Sequence, residues 1–358
     1  MSATFPHASA PDDPARWENA ERAAEARLAV AVEDIFLSQP GRLDDRTRST
    51  VLRLAETTVE AIERQVAGDA GRALAARGLA AQAASLESNH ALAWPRLLDA
   101  GLMRDAELIG ELIAQARVDL LDESLVLLRA PDAGATLLTT LTDSADPELR
   151  QLAAGYLAAD GRRWRNAGER CAALPPVLHH RLTWWVAAAL RERMGRAGEP
   201  ESDRALCDAA QRCIGAHRGV EHIGDVAARL ATALVPATED LADLLLRALE
   251  SARTTLFVAL LAQALAIEAA EARALVLDSA SDRLWLALRA AGVPRDAIAR
   301  IGFLLAEADR ERDLDTLIAM QDDLAALSPA SATQAVAALA LPRDFRRAMR
   351  ALTRQPPP

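Results

Sequence analysis

Lysine is absent from the sequence, so all 41 basic residues are arginines. Without lysine no side chain can form a Schiff base, and no P-loop lysine can reach a phosphate. A protein-kinase site would lack its strand lysine, and a lysine-based β-lactamase site would lack its base. This single absence nearly excludes these classes of enzyme.

Aromatic residues are also scarce, at 3% of the chain, although 51% of the residues are hydrophobic. Alanine and leucine supply most of the apolar surface, which suits closely packed helices and disfavours a β-sandwich. No stretch alternates convincingly between apolar and polar residues, as a half-buried strand would. We therefore predict an all-α fold of antiparallel helical hairpins, arranged as a HEAT-like or α-solenoid-like array.

Signals for secretion or membrane insertion are missing as well. Residues 1–19 do not contain a basic region followed by an apolar one, as a signal peptide would. The longest apolar run, Leu256–Ile267, is interrupted by Gln263 and is shorter than the ~20 residues of a membrane helix. Three cysteines at irregular spacing do not indicate a disulfide framework. We expect a cytoplasmic protein without a membrane span.

The charge and the missing motifs narrow the function further. The net charge of −10 repels nucleic acid on average, so nucleic-acid binding is not expected. The sequence has no G-x-G-x-x-G, G-x-S-x-G or H-E-x-x-H motif, and nothing singles out a catalytic carboxylate among its 51 acidic residues. We expect no enzyme, no catalytic residue and no cofactor, and nothing indicates a small-molecule ligand.

The clearest structural signal is the stretch 137–159, LLTTLTDSADPELRQLAAGYLAA, which is typical of two helices joined by a turn. Asp146 stands at an N-cap position, and Pro147 follows at the first helical position, where a missing N–H costs nothing. Such a hairpin cannot bury its apolar stripe alone, so we expect neighbouring hairpins to stack on it. The predicted inward positions are Leu137, Leu138 and Leu141 in the first helix, and Leu149, Leu152, Ala153, Tyr156 and Leu157 in the second.

This hairpin resembles a HEAT-type repeat, in which a loop aspartate and an arginine of the second helix tie the hairpin together. Asp143 and Arg150 stand at those positions, together with Pro147, Ala153, Ala154 and Leu157. The longer stretch 97–350 resembles an uncharacterised alphaproteobacterial family, DUF family 2336, through LLDAGLMRDAELIGELIAQARVDLLDESL and RLWLALRAAGVPRDAIARIGFLL. The resemblance implies a helical, repeat-like fold and brings no established activity and no catalytic residue.

Breaks in the helical pattern divide the chain into five predicted segments. The second helix of the N-terminal hairpin has an especially regular stripe, formed by Val51, Ala55, Val59, Ile62 and Val66. The predicted segments are a disordered tail at 1–13, an N-terminal helical hairpin at 14–67, HEAT-like helical repeats at 68–160, a loop at 161–176 and a C-terminal helical region at 177–354.

One candidate metal site consists of Cys207, Cys213, His217 and His222, in the pattern C-x5-C-x3-H-x4-H. Four nitrogen and sulfur ligands would suit tetrahedral zinc, although this spacing matches no standard zinc motif. On a helix Cys213 and His217 share a face while Cys207 points elsewhere, so the simpler interpretation is buried thiols and surface histidines. A metal-binding sensor or enzyme that uses this cluster is the alternative function.

A second candidate is the helix that follows the double proline at 175–176. His180 and Trp184 are i, i+4 neighbours and can pack together, with His179 and Trp185 beside them. These residues could form an aromatic pocket with a general base. The simpler interpretation is a core helix whose tryptophans fill the space that small residues leave.

Two basic clusters are candidate partner-binding sites. Arginine can bind a carboxylate with two hydrogen bonds, and tryptophan can stack on a flat cation. In the last helix we expect the apolar side, with Phe345, Met349 and Leu352, to dock on the rest of the protein and the arginines to face water. The alternative is that this helix binds a partner or an acidic lipid. The cluster residues are Arg162, Arg163, Trp164 and Arg165 in the loop, with Arg170 nearby, and Arg346, Arg347 and Arg350 in the last helix.

Stacked hairpins and missing catalytic motifs together favour an interaction protein. Helical arrays expose extended surfaces that suit peptide or protein partners. We therefore predict a non-enzymatic scaffold or adaptor with a protein partner that the sequence does not identify.

Overall fold

The computed structural model describes residues 44–86, 92–130, 134–166, 169–194, 200–235, 240–280, 282–312, 318 and 328–353. This part of the chain is almost entirely helical, so the predicted all-α class is confirmed. The predicted tail and the first helix of the N-terminal hairpin lie outside the described residues.

The strands are β1 (Trp164–Asn166) and β2 (Glu169–Arg170), and short 3-10 helices span Leu102–Arg104 and Ala337–Ala340. In chain order the α-helices are α1 (Asp45–Ala76), α2 (Ala80–Leu86), α3 (Ala93–Asp99), α4 (Ala106–Leu128), α5 (Leu137–Thr142), α6 (Pro147–Arg162), α7 (Pro176–Arg193), α8 (Pro200–Arg218), α9 (Ile223–Leu234), α10 (Leu241–Glu250), α11 (Thr254–Leu265), α12 (Ala269–Leu277), α13 (Asp282–Ala290), α14 (Arg295–Ala308), α15 (Pro329–Val336) and α16 (Arg343–Thr353).

The chain forms two compact units, and each unit draws on separated stretches of sequence. The N-unit consists of the described residues of Leu28–Arg117 and Ala158–Ile223. The C-unit consists of the described residues of Val118–Leu157 and Gly224–Pro358.

Helix α1 forms the centre of the N-unit, where it packs against α2, α7 and α8. The Asp44 carboxylate caps its first turn by accepting from the main-chain N–H groups of Arg46 at 3.0 Å and Thr47 at 3.1 Å. Gly78 takes a positive φ of 80° just after its last turn, a conformation that glycine adopts without a Cβ clash. All five residues of the predicted stripe are at most 3% exposed, namely Val51, Ala55, Val59, Ile62 and Val66.

The C-unit has a core of leucines with a few larger side chains. Helix α10 packs against α11 and α14, and α13 packs against α15. Phe257 of α11 and Tyr156 of α6 are at most 1% exposed and are among the largest buried side chains. Each aromatic ring removes far more apolar surface from water than an alanine would, which compensates for the low aromatic content.

The two helices predicted at 137–159 are present as α5 and α6. Asp146 accepts from the Glu148 N–H at 2.8 Å, as an N-cap should. Arg150 ties the turn together through the carbonyls of Ser144 at 2.6 Å and Ala145 at 3.0 Å, so it holds the loop main chain. Most of the predicted stripe is buried, but Leu149 is only partly buried and Leu157 is 39% exposed.

Part of the loop predicted at 161–176 is a small antiparallel hairpin of β1 and β2. Beyond it, the Cys171 N–H donates to the Arg163 carbonyl at 2.8 Å. Strands this short contain too few residues to show an alternating pattern, so the sequence gives no signal for them.

Among the described residues, no single helix is long and apolar enough to cross a membrane. Helices α11 and α12 would be long and apolar enough only together, and the chain bends by 119° between them.

Candidate functional site

Three histidines of the N-unit come together although they lie on different elements. His179 is in the first turns of α7, His217 is in the last turn of α8, and His222 is in the link that follows α8. The rings of His179 and His217 are stacked, with centroids 3.6 Å apart and planes 4° from parallel. The ring of His222 lies 4.4 Å from that of His217, tilted by 44°. We call these three residues the histidine stack.

Few polar partners surround the rings of the histidine stack. His217 donates from Nε2 to the main-chain carbonyl of Leu174 at 2.9 Å, and this bond ties α8 to the segment before α7. His179 Nδ1 lies 3.4 Å from the hydroxyl of Thr183, which donates to the His179 carbonyl. The Nε2 atom of His222 is buried and has no hydrogen-bond partner within the described part of the chain. The rings therefore pack mainly as flat, neutral groups.

Burial keeps His179 and His217 uncharged near neutral pH. It lowers the pKa of His179 to about 3, and the neighbouring rings of His217, His222 and His180 lower that pKa further. Burial also lowers the pKa of His217, against the opposing effect of the hydrogen bond to the Leu174 carbonyl. At pH 7 both residues are neutral imidazoles.

The predicted four-residue metal set is not brought together in the structure. Cys207 is exposed, whereas Cys213 is buried, and burial raises the pKa of the Cys213 thiol to about 11. Stacked rings turn their faces to one another, so their nitrogens do not converge on one point. In the described ranges, no group of three or more His, Cys, Asp or Glu side chains is placed to hold a metal ion.

The histidine and tryptophan side chains of α7 divide between the core and the surface. The Trp184 indole N–H donates to Nε2 of His180 at 3.1 Å, as the i, i+4 spacing predicts. His180 is exposed, while Trp184 and Trp185 are partly buried against the core of the N-unit. The sequence grouped His179 with these tryptophans and missed its contact with His217, because that contact depends on how α7 packs against α8.

The basic loop turns two of its arginines toward the protein. Arg162 donates to the Glu221 carbonyl at 2.8 Å, and Arg163 is only 9% exposed. Trp164 is 41% exposed, and the guanidinium of Arg170 lies 4.1 Å from its ring centre in a cation–π contact. The side chain of Arg165 lies outside the described residues.

Helix α16 of the C-unit differs from the sequence prediction, because its apolar side is exposed and Arg346 is buried, whereas Arg343 and Arg347 face water as expected. Arg346 is 5% exposed, and its guanidinium pairs at 2.6 Å with the carboxylate of Glu271 on α12, which is itself buried. The apolar side faces outward, with Phe345 54% exposed, Met349 48% and Leu352 86%. The buried Glu271 carboxylate favours this orientation, because Arg346 beside it avoids an unpaired buried charge.

The three outward residues form one continuous surface, which we call the apolar stripe. Phe345, Met349 and Leu352 stand at i, i+4 and i+7, and therefore on one face of α16. Arg343 and Arg347 are exposed on the same helix, and Nε of Arg343 lies 3.9 Å from Glu271. The side chain of Arg350 lies outside the described residues.

Comparisons with known proteins give one match. A family model described as an uncharacterised protein conserved in bacteria (DUF2336) matches residues 167–337. No curated protein and no solved structure matches the chain. The matched range includes the histidine stack and Glu271 and ends before α16, and the family description names no activity.

Proposed function

We propose that the protein is a non-enzymatic adaptor that binds a partner protein through the apolar stripe of α16. The observation that carries this proposal is the outward orientation of Phe345, Met349 and Leu352. Burying such side chains in an interface stabilises a complex by about 1.5–3 kcal/mol each at full burial. A helix that turns an apolar face to water is a typical site for helix-in-groove or helix-on-helix recognition.

The way in which α16 is held supports a preformed binding surface. The ion pair between Arg346 and Glu271 fixes the rotation of the helix, and Arg346 Nε also donates to the Leu341 carbonyl at 3.2 Å. Because the helix is already oriented, a partner would not have to order it on binding. Leu341, 40% exposed just before the helix, extends the apolar surface.

The proposed partner is a protein that presents an acidic amphipathic helix. The exposed arginines Arg343 and Arg347 favour an acidic partner and disfavour a second copy of the same basic helix. A membrane surface fits less well, because Arg346 is turned inward onto Glu271 and does not reach lipid headgroups when the stripe enters the bilayer.

The proposal also covers the arrangement of the hairpins, the place where the protein acts and its family. We propose that the hairpins stack in a HEAT-like manner, as the α5–α6 turn with its Arg150 clamp suggests. We also propose that the adaptor acts in the cytoplasm and belongs with the alphaproteobacterial DUF family 2336.

The test is recovery of the partner from the organism of origin, followed by reconstitution from purified proteins. Since the chain has no lysine, a carboxylate-directed cross-linker is the suitable reagent for fixing weak complexes. Replacing Phe345 and Met349 by serine should weaken the reconstituted complex at least about tenfold, as expected for losing buried hot-spot side chains.

A matched control is Leu127→Ser, which changes an apolar residue of α4 that is 81% exposed. This variant should leave the dissociation constant unchanged. Equal binding by the wild type and the Phe345/Met349 double variant would refute the stripe as the contact surface.

A further inference from the structure

The histidine stack is not part of the adaptor surface, and it has a property of its own. Its rings come from α7, from the end of α8 and from the link after α8. One hydrogen bond from this stack, from His217 to the Leu174 carbonyl, holds the segment that leads into α7. Packing of these three parts therefore depends on the contacts among the three imidazole rings.

Protonation would disrupt this arrangement in two ways. Two imidazolium ions with ring centres 3.6 Å apart repel each other, and burial deprives them of the water that would screen the repulsion. The stack also lacks polar partners for a new charge, since even the buried Nε2 atom of His222 has no hydrogen-bond partner within the described part of the N-unit. The stacked state is therefore one in which His179 and His217 are neutral.

The charged groups nearby do not offset this repulsion. The charges that act on His179 are those of His217, His222 and His180, and all of them are positive when protonated. On the surrounding elements, Arg181 of α7 is engaged by Asp105 at 2.7 Å and Glu107 at 2.9 Å, and Arg162 donates to the Glu221 main chain. In addition to burial, the carboxylate of Asp69 on α1 raises the pKa of the Cys213 thiol on α8, and it lies 3.9 Å from Arg212.

We propose that the histidine stack is an acid-sensitive latch, which holds the α7 entry segment against the end of α8 at neutral pH and opens when the rings take up protons. The opened state frees the Leu174 carbonyl and the link around His222. This proposal does not rest on the adaptor function, because the latch lies in the N-unit and the apolar stripe lies in the C-unit.

The direction of the pH effect follows from proton binding. The pKa of His179 is lower in the folded protein, about 3, than the ordinary value of 6.5, so the opened state binds more protons between these values. Opening is therefore favoured as the pH falls below about 6.5, and the closed state is favoured above it. When the pH falls from 7.5 to 5.5, the equilibrium constant for opening should rise about tenfold for each histidine that is neutral in the closed state and takes up a proton on opening.

Hydrogen exchange of the full-length protein at pH 7.5 and pH 5.5, corrected for the intrinsic exchange rate, measures this opening. Residues 171–175 and 217–222 should lose protection about 10- to 100-fold at the lower pH, as expected for one or two protons taken up. His179→Phe keeps a flat ring in the stack, but phenylalanine cannot be protonated. The loss of protection between the two pH values should therefore be about tenfold smaller in this variant.

The control is His180→Gln, which changes the exposed neighbour on the same helix; because His180 has the smallest of the effects on the His179 pKa, this variant should change the response far less than His179→Phe does. Should His179→Phe fail to fold, an NMR titration of the wild-type histidines decides the matter, with a His179 pKa well below 6 expected. An unchanged exchange rate between the two pH values, or a wild-type His179 that titrates near 6.5, would overturn the proposal.

Discussion

Replacing Glu63 by methionine is expected to lower the free energy of unfolding of the N-unit by about 3–5 kcal/mol. The side chains of Glu63 and Arg193 are 7% and 9% exposed and form an ion pair at 3.1 Å. The same carboxylate accepts from the main-chain N–H groups of Leu92 at 3.2 Å and Ala93 at 3.1 Å, where α3 begins. Its removal leaves a buried guanidinium and two donors without this acceptor, and each of these carries a desolvation cost.

Native-state hydrogen exchange of the α1 amides measures this loss within the N-unit. Glu56→Gln, an exposed carboxylate on the same helix, should change the free energy by less than about 0.5 kcal/mol. The double variant Glu63→Met/Arg193→Met should regain much of the loss, since it removes the buried charge as well. A single-variant loss below about 1 kcal/mol would mean that the pair is not buried as the structure has it.

Replacing Glu271 by leucine should release α16 from the C-unit. Breaking a buried ion pair by removing one partner costs about 3–5 kcal/mol, and here it leaves Arg346 without its 2.6 Å contact. Because α16 is a short helix whose apolar stripe faces outward, little other packing holds it against the rest of the C-unit. The expected result is loss of exchange protection over 343–353 while α11 remains protected.

Two variants test whether the charge pair is the cause. Asp344→Asn removes an exposed carboxylate on α16 itself and should leave the helix protected. Glu271→Leu/Arg346→Leu replaces the pair by apolar side chains and should restore part of the protection. If α16 stays as protected in Glu271→Leu as in the wild type, the ion pair does not determine its orientation.

The sequence predicts elements whose signals are local. The stripe of α1 and its Asp44 cap, and the turn between α5 and α6, depend on residues within a few positions of one another. Periodicity and capping residues are sufficient to identify such elements. The β1–β2 hairpin was missed because its strands are too short for a periodic pattern.

The candidate sites depend instead on contacts between distant parts of the chain. The orientation of α16 could not be predicted from its own residues, because Glu271 on α12 decides which side of the helix is buried. Similarly, His217 and His222 stood out by spacing, but their neighbour proved to be His179 of α7 and not a cysteine. Tertiary packing can override the preference of an amphipathic helix to bury its apolar face.

The most direct test of the proposed adaptor surface is the rate at which hydrogen peroxide oxidises Met349, measured by mass spectrometry with and without the cross-linked partner. Met349 is 48% exposed, and Met103, at 1% exposed, is the internal reference. The proposal predicts fast oxidation of Met349 in the free protein and strong protection in the complex, with Met103 slow in both. Slow oxidation of Met349 in the free protein, or an unchanged rate in the complex, would contradict it.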